Sequence, residues 1–77
     1  MSLILPMQFL TPGESGCVRE IEGEKNLVRR LDEMGLRAGV EVRMVQPGTP
    51  CIVALEHQRL SFRGEDEAVV LAEVDRM

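Results

Sequence analysis

The stretch EKNLVRRLDEMGLRAGVEVRMV, residues 24–45, decides the fold. Leu27, Leu31 and Met34 fall at i, i+4 and i+7, the apolar stripe of a short amphipathic helix. Gly35 ends it. With Gly35 as the left-handed residue just past the helix, Leu31 and Leu36 occupy the two positions that touch in a Schellman closure. Gly39 then supplies a turn, and Val40, Val42 and Met44 alternate with Glu41 and Arg43 as in a half-buried antiparallel strand. Leu31, Gly35, Leu36 and Gly39 therefore have structural roles that account for them. Arg29, Arg30, Glu33, Arg37 and Arg43 do not, and they are the candidate partner-binding residues. Arginine is favoured at interfaces because its planar fork makes paired hydrogen bonds to carboxylates. The competing reading for each is a solvated charged face.

Outward from this stretch the chain reads as strands. TPGESG (11–16) is a tight loop leading into CVREI (17–21), where Val18 and Ile21 sit three apart, so both face inward only if the strand carries a bulge or a strong bend. QPGTP (46–50) breaks the strand after Val45. CIVAL (51–55) is apolar on both faces, EHQ (56–58) turns a hairpin, and RLSFR (59–63) alternates again. GEDE (64–67) reads as a single helical or 3₁₀ turn before a last strand, AVVLAEV (68–74). The expectation is a mainly β fold: a small barrel of about five strands with one short inserted helix. No linker or repeat divides residues 1–77, so they form one domain. Residues 1–6 read as an apolar leader, whose first three residues could be an addition to the natural chain. Leu3, Ile4, Leu5 and Met7 could cover an open barrel end or pack on a second copy in a weak homo-oligomer.

Composition excludes several functions. Phe9 and Phe62 are the only aromatic residues, so neither a proline-rich-peptide groove nor a base-stacking platform can be built. Nine basic residues are interleaved with thirteen acidic ones for a net charge of −4, which makes nucleic acid a poor partner. The opening MSLILPMQFL lacks a basic leading region and is far too short to span a bilayer, so no membrane insertion is expected. With two cysteines and no secretion signal, the expected compartment is a reducing cytoplasm.

Catalytic and metal chemistry find little support. His57 is the only histidine, and no spacing joins it to Cys17 or Cys51, both of which read as small core hydrophobes. Gly13, Gly16 and Gly23 form no phosphate-binding loop. No paired-cysteine motif is present, so no dedicated metal site and no cofactor are expected. His57 with Glu56, or Glu65, Asp66 and Glu67, could hold a divalent ion only adventitiously. The expectation is a protein that is not an enzyme.

Taken together, LTPGESG, RRLDEMGLRAGVEVRMV and RLSFRGEDEAVVL resemble the FeoA family, ferrous iron transport protein A. Arg29, Leu31, Glu33, Gly35, Leu36 and Gly39 carry the most specific part of the likeness, with Leu60, Arg63, Glu67 and Ala68 in looser spacing. The resemblance implies an SH3-like β-barrel. It also implies a cytoplasmic accessory that regulates a membrane ferrous-iron transporter by docking on its guanine-nucleotide-binding region. An alternative is a metal-sensing module related to the C-terminal domain of iron-dependent repressors. The chain departs from the family pattern at LEHQRL (55–60), where a glycine is common at the hairpin tip.

Overall fold

The computed structural model describes residues 1–63 and 68–76. In chain order the elements are strand β1 (Ser2–Pro6), a 3₁₀ turn (Met7–Phe9), β2 (Ser15–Gly23), helix α1 (Lys25–Glu33), β3 (Glu41–Gln46), β4 (Cys51–Ala54), β5 (Arg59–Phe62) and β6 (Ala68–Asp75). All the strands join one antiparallel sheet in the order β1-β6-β2-β3-β4-β5. Two expectations need correction. The strands number six, not about five, because the apolar leader pairs with β6 residue for residue from Ser2 with Asp75 to Pro6 with Leu71. The sheet is also not closed into a barrel, since β1 and β5 end it on opposite sides without pairing to each other among the described residues. The helical turn expected at 64–67 lies outside the described residues.

The two local irregularities of the sheet follow from the apolar pattern. In β2 the register to β6 shifts between Val18 and Glu20, so Arg19 is the extra residue of a bulge. Val18 then pairs with Ala72 and Ile21 with Val70, and both face the core. Without the bulge a period of two would send one of them to solvent. A second shift, between Met44 and Gln46, bends β3 toward β4.

The interior is aliphatic apart from Phe62. Met7, Val18, Leu36, Val42, Cys51, Val53 and Val70 are fully buried, and no polar side chain is buried among the described residues. Leu31 reaches this cluster from α1, with Leu27 and Met34 packed against its margin. Glu24 caps the helix by accepting a hydrogen bond from the Leu27 N–H at 3.0 Å. At the other end the Schellman closure is present: the Leu36 N–H donates to Leu31 C=O at 2.9 Å and the Gly35 N–H to Asp32 C=O at 3.0 Å. Gly35 has φ +95°. Gly39, with φ +96°, donates its N–H to Val18 C=O at 2.7 Å and so returns the chain to β2 before β3 begins.

Gly16 holds β2, β3 and β6 together. A methyl group there would meet Val74 Cγ1 at 3.0 Å, the Glu73 carbonyl oxygen at 3.2 Å and Ala72 Cβ at 3.3 Å. The carbonyl belongs to the paired strand and cannot step aside. Gly16→Ala is therefore expected to cost about 1–3 kcal/mol, the usual range for overpacking, read as a lower midpoint in denaturant at unchanged slope.

Near the C-terminus Arg76 grips Glu14 through one edge of its guanidinium, Nε donating to Oε2 at 2.8 Å and Nη2 to Oε1 at 2.7 Å. The Thr11 N–H also donates to Glu14 Oε1, at 2.9 Å. Chiefly through the Arg76 hydrogen bond, the Glu14 carboxyl is lowered from 4.5 to about 2. A carboxyl whose folded value is depressed favours the folded state above its unfolded value, and that contribution disappears as pH falls through the folded value. Stability should accordingly decline between pH 4.5 and about 2, and Arg76→Leu should shallow that decline in acid-unfolding curves.

Candidate functional site

The sheet register brings side chains together that are far apart in sequence. Ser15 pairs with Arg43, Arg43 with Ala54, and Ala54 with Arg59, so these four form one row across β2, β3, β4 and β5. The row lies on the outer face, because the alternate residues Val42, Met44, Val53 and Leu60 are buried. Arg43 and Arg59 flank Ala54, whose methyl leaves a gap between them. At the usual strand spacing their Cα atoms are roughly 10 Å apart. Each guanidinium is exposed, and neither makes an ion pair among the described residues.

Ser15, Arg43 and Ala54 of this row line an open groove of about 820 Å³, while Arg59 lies outside its lining. One wall is the segment after α1, with Gly35, Arg37, Gly39 and Val40; the other is the β4–β5 hairpin, with Leu55, Glu56, His57 and Gln58. The walls are fastened to each other. The Gln58 side-chain amide donates to the Met34 carbonyl at the helix end, and Leu55 N–H donates to Gln58 C=O at 2.7 Å to close the hairpin. No non-glycine residue among those described has positive φ, so Glu56 and His57 turn the tip without the glycine common in the family. The fold is kept there, and Gln58 adds a brace to the helix end.

The structure divides the five candidate partner-binding residues. Arg37 and Arg43 line the groove. Arg29, Arg30 and Glu33 are exposed on α1 and are not part of its lining. Arg37 Nε lies 3.4 Å from Asp32 Oδ1, an exposed pair of the kind worth roughly 0–1 kcal/mol, so the guanidinium is readily drawn to another carboxylate. Arg59 was not among the sequence candidates. Its alternation with Leu60 and Phe62 marks it as outward-facing, but only the register across three strands sets it beside Arg43.

The remaining chemistry-bearing residues are dispersed. Cys51 is buried, and that burial pushes its thiol pKa up, as for an inert core cysteine. Cys17 is half-buried. His57 stands at the exposed hairpin tip, 3.7 Å from Glu56. No group of three or more His, Cys, Asp or Glu placed to hold a metal ion occurs among the described residues. No helix among them is long and apolar enough to cross a membrane.

A six-stranded antiparallel sheet with one inserted helix and an open, arginine-bearing groove defines a small SH3-like β domain. The FeoA domain matches residues 5–73, and the chain belongs to that family, associated with ferrous iron transport. Two solved structures share its fold. An iron uptake regulatory protein (FeoA) has a TM-score of 0.79 and 24% identity over 94% of this chain and 100% of that one. Iron(II) transport protein A from Clostridium thermocellum, known from a solution structure, has a TM-score of 0.81 and 24% identity over 91% of this chain. The chain spans 45% of that second protein's length. No curated protein sequence matches.

Proposed function

We propose that the protein is a non-enzymatic cytoplasmic accessory of a membrane ferrous-iron transporter. It docks on the transporter's GTP-binding region through the groove that Arg37 and Arg43 line, with Arg59 beyond Ala54 on the same sheet face. The observation that carries this reading is the pair Arg43 and Arg59, two exposed guanidiniums with no ion pair among the described residues, on either side of Ala54 in one row of the outer sheet face, Arg43 and Ala54 lining the groove of a FeoA-family chain. Such a pair suits carboxylates presented by a protein partner, each guanidinium taking one in a bidentate contact. Arg29, Arg30 and Glu33 extend the contact onto the exposed side of α1.

Docking regulates transport only if the chain binds one transporter conformation more tightly than another, because equal affinity for both shifts no population. The test is co-purification of the chain with the full-length transporter in detergent, with GDP and with a non-hydrolysable GTP analogue. Retention at stoichiometric amounts in at least one state is expected. Absence of retention in every state would overturn the proposal.

A further inference from the structure

Met1, Leu3, Ile4, Phe9 and Val69 are the large apolar side chains that stand exposed among the described residues. Met1, Leu3 and Ile4 lie on or next to β1, Phe9 ends the 3₁₀ turn that follows it, and Val69 lies on β6 beyond the stretch that pairs with β1. β1 ends the sheet, so one of its backbone edges faces no strand among the described residues. Which groups that edge presents follows from the ladder. The Arg76 N–H donates to the Met1 carbonyl at 2.9 Å, and antiparallel pairs alternate. Met1, Leu3 and Leu5 therefore turn their backbone polar groups toward β6, while Ser2, Ile4 and Pro6 turn theirs to the open edge. The donor that Pro6 lacks is missing on the open side, where a proline is tolerated.

Edge strands are ordinarily guarded by charge. SLILP has none. The carboxylates nearest to it are already paired within the chain, Glu73 with Arg19 at 2.6 Å and Asp75 with the N-terminal ammonium at 3.1 Å. A second copy can thus approach this edge of a net −4 protein without setting unpaired carboxylates against each other.

We infer that β1 is an interface for a second copy of this chain, the two β1 strands pairing antiparallel about a two-fold axis at Ile4. In that register Ile4 N–H donates to the carbonyl of the second copy's Ile4, and Ser2 N–H donates to the carbonyl of its Pro6, each bond repeated by symmetry. Every edge N–H finds an acceptor, and the one ladder bond forgone in each half is that from the N–H that Pro6 lacks to the Ser2 carbonyl. A shift by two residues in either direction leaves Ser2 or Pro6 without a partner. Leu3 comes opposite the second copy's Leu5 on the core side, and Ile4 meets its counterpart on the outer side, which covers residues now 41% and 61% exposed. The contact is isologous and closes on itself. It leaves the groove on β3, β4 and β5 free, so it stands or falls separately from the docking reading.

Sedimentation equilibrium of the full chain over a range of concentrations tests the inference. The wild type is expected to reach twice the chain mass. Ile4→Lys, which sets two ammonium groups together at the axis, is expected to be monomeric where the wild type is dimeric. Val69→Lys, a change on the outer face away from the axis, should stay dimeric. If Ile4→Lys loses the wild-type circular dichroism, Ile4→Pro replaces it, since it deletes the axial N–H without touching the bonds to β6. A wild type monomeric at every concentration would overturn the inference. So would a dimer that survives the Ile4 changes, or one dispersed equally by Val69→Lys.

Discussion

Leu36→Ala is expected to lower the free energy of unfolding by about 2–5 kcal/mol, the range for removing a fully buried leucine from a core that cannot collapse around the gap. Leu36 is completely buried and follows the glycine that ends α1. Its backbone N–H still reaches Leu31 C=O in the variant, so the loss reports the apolar side of the closure and not its hydrogen bonds. For a chain of 77 residues, whose total stability is on the order of 4–12 kcal/mol, this is a large share. Gly35→Ala should be milder, about 1–2 kcal/mol. The added methyl would meet only Gln58 Nε2 at 3.5 Å and Leu55 Cδ1 at 3.8 Å, leaving the cost of an L-residue at φ +95° as the main term. Urea unfolding followed by circular dichroism measures both. A loss below 1 kcal/mol for Leu36→Ala, or a reversed order, would mean that the Schellman contact does not anchor the helix to the sheet.

Arg43→Glu is expected to weaken docking on the transporter's GTP-binding region by roughly thirtyfold or more. That corresponds to about 2 kcal/mol, the lower end for disrupting one side of a desolvated charge pair. Its effect on folding should stay within about 0.5 kcal/mol, because Arg43 is exposed and makes no ion pair among the described residues. Added salt should weaken wild-type docking and narrow the difference from the variant. Arg29→Glu combined with Arg30→Glu should also preserve the fold and weaken docking, but by less, since neither residue lines the groove. If the helix pair had the larger effect, the contact would centre on α1.

Local features of the fold were legible where one segment contained its own constraint. The spacing of Leu31, Gly35 and Leu36 specifies the helix closure because all its groups lie within six consecutive positions. A bulge or strong bend was implied by Val18 and Ile21, two apolar residues that strict alternation cannot place on one face, and the register shows it to be a bulge at Arg19. Features set by distant pairing were not legible. SLILP is a continuous apolar run ending in proline, with no alternation to mark it, and only its register against β6 makes it a strand. Whether the sheet closes depends on how its first and last strands meet, which no local pattern encodes.

The candidate site shows the same division. Of the charged residues singled out around the helix end, Arg37 and Arg43 line one groove, and Arg29, Arg30 and Glu33 do not. The opposite wall comes from the hairpin whose missing glycine read as a departure from the family pattern. Gln58 there braces the helix end that the motif defines. Arg59 joins Arg43 only through two successive strand pairings with Ala54 between them.

Calorimetric titration of the chain into the transporter's purified cytoplasmic GTP-binding region, nucleotide-free, with GDP and with a non-hydrolysable GTP analogue, tests the central claim most directly. The account predicts saturable binding that is tighter in one nucleotide state and sharply weakened by Arg43→Glu. Equal affinity in all states, or binding indifferent to Arg43, would contradict it.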